Sequence, residues 1–338
     1  MDKRIPVTLL TGFLGSGKTT LLNHLLSHPQ MKDSAVIINE LGTTGLDHIL
    51  ATQVDSEQIA DNTVLLSSGC VCCTLKNELA DTMRDLFFKR ALQAIPQFNR
   101  IVIETTGMAD PGPILANLMN EPVIESVFRL DAVIVTIDCE YGFDQLKKHT
   151  EARKQAAVAD VLLLTKIDLA TPEQVTNLKE KLITINAGAT QHKILHGQIE
   201  PDFIIDVGLF DPSGKHAEPQ RWLRAPVKLT NSKPTFMLKN QHDEIASFTV
   251  TLPSPINWRD LKPVILKLCQ THGEGLLRLK GIIHAADLDD PIAIHAVRFT
   301  PYPPTELEGW IEDEPTNRIV IIGKGLDEAA IRKMLTQV

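Results

Sequence analysis

The glycine-rich segment GFLGSGKT, residues 12–19, constrains the fold of this chain more than any other sequence feature. It follows the apolar run 7–10, which predicts a buried strand, and it precedes residues 20–26, whose apolar spacing predicts a helix. Glycines in such a strand-to-helix turn let backbone N–H groups surround phosphate oxygens, and the helix adds the positive end of its dipole. The sequence therefore predicts a phosphate-binding loop near the start of an α/β domain.

Each polar or small residue of this loop has an expected role. Lys18 neutralises phosphate charge, and the Thr19 hydroxyl is placed to bind Mg²⁺, so we expect both to act in catalysis. The residues predicted to bind the phosphates are Gly12, Gly15, Ser16, Gly17, Lys18, Thr19 and Thr20.

Continuous apolar runs rich in β-branched residues recur up to about residue 195. Such runs are typical of strands buried on both faces, as in a parallel sheet covered by crossover helices. The predicted strands are 7–10, 35–38, 64–66, 101–103, 132–137 and 161–164, with a last strand near 193–195. We therefore predict a doubly wound, mostly parallel α/β sheet of the P-loop NTPase type.

The amino-acid composition changes after the last strand of this predicted sheet. Residues 206–233 are rich in Pro, Gly, Lys and Arg and predict a linker between a domain of residues 1–205 and one of residues 234–338. The second domain is predicted to be a smaller α+β domain. Its expected strands are 247–252, 282–283, 296–299 and 319–322, and its expected helices are 257–269, with Pro263 as a kink or as part of the first turn, and 327–335, with Asp327 as its cap.

Charge and hydropathy exclude several classes of protein. Lys and Arg number 34 and Asp and Glu number 42, for a net charge of −8 that argues against a general nucleic-acid binder. No apolar run reaches the roughly 18 residues of a membrane span, and the first residues do not resemble a secretory signal. We expect a cytoplasmic protein.

A second motif points to the nucleotide. The apolar run 161–164 ends in Thr165, Lys166, Ile167 and Asp168, which resembles the Asn-Lys-x-Asp element of P-loop GTPases, with Thr165 in place of the usual Asn. A carboxylate at Asp168 can accept two hydrogen bonds from guanine, and adenine offers no such pair of donors. A site built on that acceptor rejects the wrong base, so GTP is predicted over ATP.

Three of the five cysteines, Cys70, Cys72 and Cys73, cluster just after the predicted strand 64–66. Ligands of open α/β sheets bind at the carboxyl ends of the strands, where the phosphate loop also lies. Thiolates favour zinc or a similar transition metal, and a three-ligand site leaves one position open. Two other interpretations stay open here, buried structural cysteines and a redox-active thiol group.

Taken in order, residues 12–19, 39–42, 69–73, 104–107 and 165–168 resemble the motifs of the CobW-like metallochaperone GTPases, most of all the bacterial YjiA-type members. The stretch from about residue 233 also resembles the second domain of that family. The resemblance implies a slow GTPase that binds GTP, Mg²⁺ and zinc, or cobalt or nickel, and whose nucleotide state governs metal holding or delivery. It also implies a client metalloprotein recognised by the C-terminal domain.

The same resemblance assigns further site residues. It places zinc on Cys70, Cys72 and Cys73, Mg²⁺ near Glu104, the γ-phosphate at the backbone N–H of Gly107, and His196 at the nucleotide edge. Glu40 is a candidate for positioning Mg²⁺, the transition metal or the attacking water.

Two functions of other classes are retained as alternatives. One is an ATP-dependent P-loop kinase with structural cysteines, and the other is a thiol-redox sensor. The formation of a homo-oligomer is also left open.

Overall fold

The computed structural model describes residues 4–39, 64–68, 78–205, 207, 245–253, 255–307 and 316–338. The chain divides into two compact units, residues 1–179 with 190–209 and residues 180–189 with 210–338. The boundaries expected from sequence at 205 and 234 stay a prediction, since most of the expected linker lies outside the described residues.

In the described part of the first unit, seven strands form one sheet and all pair in parallel. They are β1 (Ile5–Gly12), β2 (Ser34–Asn39), β3 (Val64–Ser68), β4 (Arg100–Glu104), β5 (Phe128–Asp138), β6 (Val161–Thr165) and β7 (Thr190–Lys193), in the spatial order β3-β2-β4-β1-β5-β6-β7. Every residue of β4 and of β6 is buried, so both faces of the sheet are covered there. The predicted parallel α/β fold is confirmed.

The described helices up to residue 185 are α1 (Lys18–Leu26), α2 (Glu78–Ala91), α3 (Pro111–Asn120), α4 (Pro122–Val127), α5 (Gly142–Lys148), α6 (Thr150–Val158) and α7 (Pro172–Ile185). Helix α1 turns its leucines, among them Leu21, Leu22 and Leu25, onto the central strands, where they are almost fully buried. This packing fixes α1 directly after β1 and so fixes the turn between them.

Two strands of this sheet differ from the sequence-based expectation. The last strand was expected near 193–195, but β7 spans Thr190–Lys193. The side chains of this edge strand are polar and half-exposed, so no apolar run marks its position in the sequence. Strand β5 begins at Phe128, before the expected residue 132. Its extra residues include Asp131, whose buried carboxylate accepts a hydrogen bond from the Arg100 guanidinium at 2.6 Å.

The second unit contains an antiparallel sheet in the order β11-β10-β9-β13-β8, with β12 paired to β10. Its strands are β8 (Ile245–Thr251), β9 (Leu276–Ile283), β10 (Ile292–Val297), β11 (Thr300–Pro301), β12 (Thr305–Glu306) and β13 (Arg318–Lys324), and its described helices are α8 (Trp258–His272) and α9 (Glu328–Thr336). Apolar residues of both helices and of β8, β9, β10 and β13 form one core. The predicted α+β domain is confirmed.

Side-chain hydrogen bonds fix the start of both described helices of this unit. The Asp327 carboxylate accepts from the Ala330 N–H at 3.1 Å, which confirms the predicted cap of α9. The Asp287 carboxylate accepts from the N–H groups of Trp258 and Arg259 at 2.6 and 3.1 Å, at the start of α8. These bonds lower the pKa of Asp287 below its ordinary value. Asp287 therefore stabilises α8 as long as its carboxylate is ionised.

Other boundaries in this unit were predicted less well. Strand β9 is six residues longer at its amino end than the expected 282–283, and β10 ends at Val297 because Arg298 adopts a positive φ of 52°. Pro263 lies inside α8, so its expected place in the first turn is wrong.

Among the described residues, no helix is long and apolar enough to cross a membrane.

Candidate nucleotide site

The phosphate loop lies between the carboxyl end of β1 and α1, with β4 and β5 on either side of β1. Gly12 and Gly17 have positive φ angles of 148° and 91°, which side chains rarely adopt. A Cβ atom on Gly12 would also collide with the Thr136 hydroxyl of β5. That hydroxyl is hydrogen-bonded to the Ser16 hydroxyl at 2.7 Å, so β5 fixes the loop from one side.

The Lys18 ammonium group lies over the loop that precedes it. Its Nζ atom donates to the carbonyl oxygens of Gly12 and Phe13 at 3.0 and 3.3 Å. Lys18 is only 9% exposed, so its charge is held inside the loop. This arrangement presents a positive charge where the phosphates are predicted to bind.

Thr19 and Glu104 come from different elements and meet beside the loop. The Thr19 hydroxyl at the start of α1 donates to Oε1 of Glu104, the last residue of β4, at 3.2 Å. Glu104 is 6% exposed, and a buried carboxylate is costly unless it is hydrogen-bonded or near a cation. A hydroxyl and a carboxylate are hard oxygen donors of the kind that Mg²⁺ prefers, so the pair fits this ion.

The segment after β4 runs directly along the phosphate loop. The Thr105 N–H donates to the Leu10 carbonyl at 3.0 Å, and the Thr105 hydroxyl donates to the Thr11 hydroxyl at 2.7 Å. A Cβ atom on Gly107 would lie 2.7 Å from the backbone of Leu14. The absence of a side chain at Gly107 thus allows the two loops to touch through their backbones.

The motif that ends β6 is attached to the phosphate loop. The buried Thr165 hydroxyl donates to the carbonyl oxygens of Ser16 and Ile137, at 2.9 and 3.2 Å. Thr165 therefore links the predicted base-binding loop to the phosphate loop. The exposed side chain of Asp168 follows three residues later.

Lys166 is held by a residue that the sequence analysis did not single out. Its Nζ atom donates to Asp138 at 2.7 Å, and its φ angle is 52°. The other carboxylate oxygen of Asp138 accepts from the N–H groups of Glu140 and Tyr141 at 2.8 and 3.1 Å. The position of Asp138 at the carboxyl end of β5 was the signal by which sequence reasoning could have found it.

The segment with His196 packs against the first turn of α1. His196 and Gly197 both have positive φ angles, of 51° and 76°. A Cβ atom on Gly197 would lie 2.8 Å from the Thr20 carbonyl, so the chain passes close to the predicted phosphate-binding residues there. The His196 side chain is exposed beside this edge.

Comparison with known proteins places the chain in a family. A model of the CobW/HypB/UreG nucleotide-binding domain matches residues 6–193, more than half of the chain. The chain belongs to the CobW/HypB/UreG family. A model of the cobalamin synthesis protein cobW C-terminal domain matches residues 245–338 of this family member. The predicted family and the predicted enzyme class, a GTPase, are thereby confirmed.

Individual relatives match this CobW/HypB/UreG chain over nearly its full length. The zinc chaperone YjiA of Escherichia coli K12 is 35% identical over 334 residues, which are 97% of this chain and 96% of that protein. The zinc chaperone CobW of Pseudomonas aeruginosa is 29% identical, over 98% of this chain and 91% of that protein. The crystal structure of Zn(II)-bound YjiA GTPase from E. coli is similar at a TM-score of 0.72 and 30% identity, covering 99% and 98% of the two chains.

Some predicted site residues of this CobW/HypB/UreG GTPase lie outside the described residues. They are Glu40, Cys70, Cys72 and Cys73. In the part of the chain that is described, no group of three His, Cys, Asp or Glu side chains could hold a metal ion. Burial raises the pKa of Cys139 to about 11 and that of Cys269 to about 12, so both thiols stay protonated at neutral pH.

Proposed function

We propose that this CobW/HypB/UreG GTPase is a metallochaperone that binds zinc, or a similar transition metal, and couples the holding or delivery of that metal to its nucleotide state. The observation that carries the nucleotide half of this proposal is the hydrogen bond of Thr19 to Glu104, at 3.2 Å, next in sequence to Lys18, whose ammonium group lies on the phosphate loop. One helix, α1, supplies the cation and the hydroxyl, and one strand, β4, supplies the carboxylate.

In this proposal the nucleotide binds as Mg·GTP. Backbone N–H groups of residues 12–20 receive the phosphates, and Lys18 exchanges its two carbonyl acceptors for phosphate oxygens. Thr19 and Glu104 would hold Mg²⁺, which supplies electrostatic stabilisation of the charge that develops on the phosphates. Asp168 would accept hydrogen bonds from guanine, Thr165 and Lys166 would support that loop, and His196 would lie at its edge.

The metal half of the proposal rests on the cysteines and on the relatives. Cys70, Cys72 and Cys73 follow β3, and the chain is similar over nearly its full length to two proteins named zinc chaperones. Cobalt and nickel would suit the same ligands. Zinc is the first metal to test because both relatives are named zinc chaperones. Thiolate ligands need a reducing compartment, which is why a cytoplasmic location belongs to the proposal.

In this proposal the two halves share the carboxyl edge of the sheet. Strand β3 is separated from β1 by β2 and β4, so their carboxyl ends lie three strand spacings, or about 14–15 Å, apart. Glu40 follows β2 and Glu104 ends β4, and both would lie between the nucleotide and the thiols. A change at the γ-phosphate can then alter the metal site through these two strand ends, and the metal must alter GTP affinity by the same factor.

The C-terminal domain is proposed to recognise the client metalloprotein that receives the metal. Its sheet and two helices form a core of their own. The family model for this domain matches residues 245–338 as a separate unit of sequence. The metal site is the part of the proposal to test first.

The test is a titration of the reduced protein with Zn²⁺ against a chromophoric chelator, without nucleotide, with Mg·GDP and with a non-hydrolysable Mg·GTP analogue. We expect zinc affinity to differ at least tenfold between nucleotide states, which corresponds to about 1.4 kcal/mol of coupling. The Cys72→Ser/Cys73→Ser variant should lose this tight site. The Cys139→Ala variant is the control, since that buried thiol lies outside the cluster, and it should keep the site.

Other outcomes decide against the proposal. If zinc binds tightly but with the same affinity in all three nucleotide states, the protein is a GTPase with a structural metal. No zinc binding, together with reversible oxidation of Cys70, would favour the redox-sensor alternative. Displacement of a fluorescent guanine nucleotide by ATP as readily as by GTP would favour the kinase alternative, which membership of a GTPase family argues against.

A further inference from the structure

Helix α6 contacts both loops that surround the predicted γ-phosphate position. At its amino end, the ring of His149 lies 4.6 Å from the ring of Phe13 in the phosphate loop. One and a half turns later, Gln155 reaches the segment after β4, which contains Gly107. A single rigid element therefore touches the nucleotide site from two sides.

The Gln155 side chain is bonded to the backbone of that segment. It is 1% exposed, and its Nε2 atom donates to the carbonyl oxygens of Gly107 and Ala109 at 3.2 and 3.0 Å. Both amide protons are thus used on one short stretch of backbone. The peptide that joins Gly107 to Met108 is consequently held by a side chain that comes from α6.

The carbonyl oxygen of the Gln155 side chain also indicates that this residue does more than pack. The Oε1 atom of Gln155 is buried and has no hydrogen-bond partner among the described residues. Burying an amide with an unsatisfied oxygen costs stability that an apolar side chain of similar length would not cost. Packing alone does not account for Gln155, whereas its two bonds to the Gly107 segment do.

The adjacent residue fixes the other end of the segment. Lys154 forms an ion pair with Asp110 at 2.6 Å, and Asp110 also accepts from the Gly112 N–H at 3.0 Å at the start of α3. The segment from Gly107 to Asp110 is therefore attached to α6 at both ends.

We propose that Gln155 is a positioning residue that holds the Gly107 backbone in the orientation that recognises the γ-phosphate. The inference rests on the proposed role of Gly107 at that phosphate. GDP has no γ-phosphate and depends on the phosphate loop itself. Removing the Gln155 amide should therefore weaken the binding of GTP and leave the binding of GDP nearly unchanged.

The experiment compares the Kd of Mg·GDP with that of a non-hydrolysable Mg·GTP analogue in the full-length protein. Gln155→Met keeps the length of the side chain and removes both donors. We expect the Kd of the analogue to rise about tenfold, equivalent to about 1.4 kcal/mol, and that of GDP to change less than about twofold. Gln155→Glu keeps the shape of the side chain and removes the N–H donors, so it should act in the same direction if the methionine variant does not fold.

Arg153→Met is the matched control on the same helix. Arg153 donates to the carbonyls of Leu146 and Lys147 at 2.8 and 3.0 Å, which attaches α6 to α5 and not to the Gly107 segment. This variant should have a lower Tm and an unchanged ratio of analogue to GDP affinity. A Gln155→Met variant that weakens both nucleotides equally, or behaves like Arg153→Met, would overturn the positioning role.

Gly107→Ala separates this inference from the proposal on which it rests. A methyl group there would meet the Leu14 backbone at 2.7 Å and displace the segment. If Gly107→Ala does not weaken the analogue relative to GDP, the proposed role of Gly107 is wrong. If it does, and Gln155→Met has no such effect, Gly107 keeps its role and the positioning by Gln155 is wrong.

Discussion

Replacing Thr165 by valine tests how the base-binding end of β6 is attached to the phosphate loop. Valine has nearly the shape of threonine and keeps a methyl group at the Cγ2 position, which lies 3.6 Å from where a Cβ of Gly17 would be. What is lost is the hydroxyl proton that the carbonyls of Ser16 and Ile137 share at 2.9 and 3.2 Å. The substitution therefore removes one buried, shared hydrogen bond and little else.

The expected cost follows from the burial of this bond. A buried acceptor that loses its donor costs about 1–3 kcal/mol. In a domain of 150–250 residues, each kcal/mol corresponds to about 2–4 °C in Tm. Thr165→Val should therefore lower the Tm of the first unit by about 2–12 °C. It should also weaken Mg·GDP binding, because the Ser16 carbonyl is part of the phosphate loop.

Scanning calorimetry and competition with a fluorescent guanine nucleotide measure the two effects. Thr165→Ser is the matched variant, since it keeps the hydroxyl and loses only the methyl group, at a cost of about 0.8 kcal/mol. A smaller loss of Tm in Thr165→Val than in Thr165→Ser would refute the reasoning. Packing against Gly17, and not the hydrogen bond, would then connect the two loops.

Three further outcomes are expected. Arg100→Met removes the guanidinium that lies 2.6 Å from the buried carboxylate of Asp131, whose other guanidinium contact, Arg129, lies at 3.9 Å, and it should lower the free energy of unfolding in urea by about 3–5 kcal/mol. The nucleotide Kd should not change, because the pair lies near the amino ends of the strands; a loss of stability below about 1 kcal/mol would contradict this. Because hydrogen bonds lower the pKa of Asp287, its contribution is complete above the ordinary carboxyl pKa and is lost as the pH falls through the lowered value. The Tm deficit of Asp287→Ala should therefore be present at pH 7 and shrink toward about pH 3, and an equal deficit at both would speak against the cap. Burial raises the pKa of Cys139 to about 11 and that of Cys269 to about 12, so mass spectrometry of the native protein after alkylation at pH 8 should find neither modified, and rapid labelling of either would show that it is accessible as thiolate.

The features best predicted from sequence were those coded by local pattern. The continuous apolar runs predicted a parallel sheet because β4 and β6 are buried on both faces, and the structure confirms this. The glycine motif likewise predicted a strand-to-helix turn, which is found between β1 and α1. In both cases the local sequence and the tertiary environment favour the same conformation.

The strands that were predicted too short contain charged residues that become buried. The buried Arg278 and Lys280 interrupt the apolar pattern of β9, and the buried Asp131, with the half-buried Arg129, does the same at the start of β5. Side chains of this kind are rarely buried without partners, so the pattern alone favours exposure. Besides its neighbour Arg129 at 3.9 Å, Asp131 pairs with Arg100 of another strand at 2.6 Å, and no local signal reveals that closer pair.

The same limit applies to the candidate site. Lys18 and Thr19 could be predicted because their motif is contiguous, whereas Asp138 and Gln155 act on Lys166 and Gly107 through contacts distant in sequence. The thiol cluster is contiguous too, but Cys70 and its neighbours lie outside the described residues. Their role stays a prediction that the zinc titration tests.

The position of the Lys18 ammonium group has a practical consequence for binding measurements. Its charge lies within the loop, on the carbonyl oxygens of Gly12 and Phe13. A free tetrahedral anion such as sulfate or inorganic phosphate can accept from the same ammonium group and from the adjacent backbone N–H groups. Buffers that contain these anions will therefore compete with nucleotides and raise every apparent Kd. Affinities for the nucleotide states are comparable only when they are measured in one buffer free of such anions.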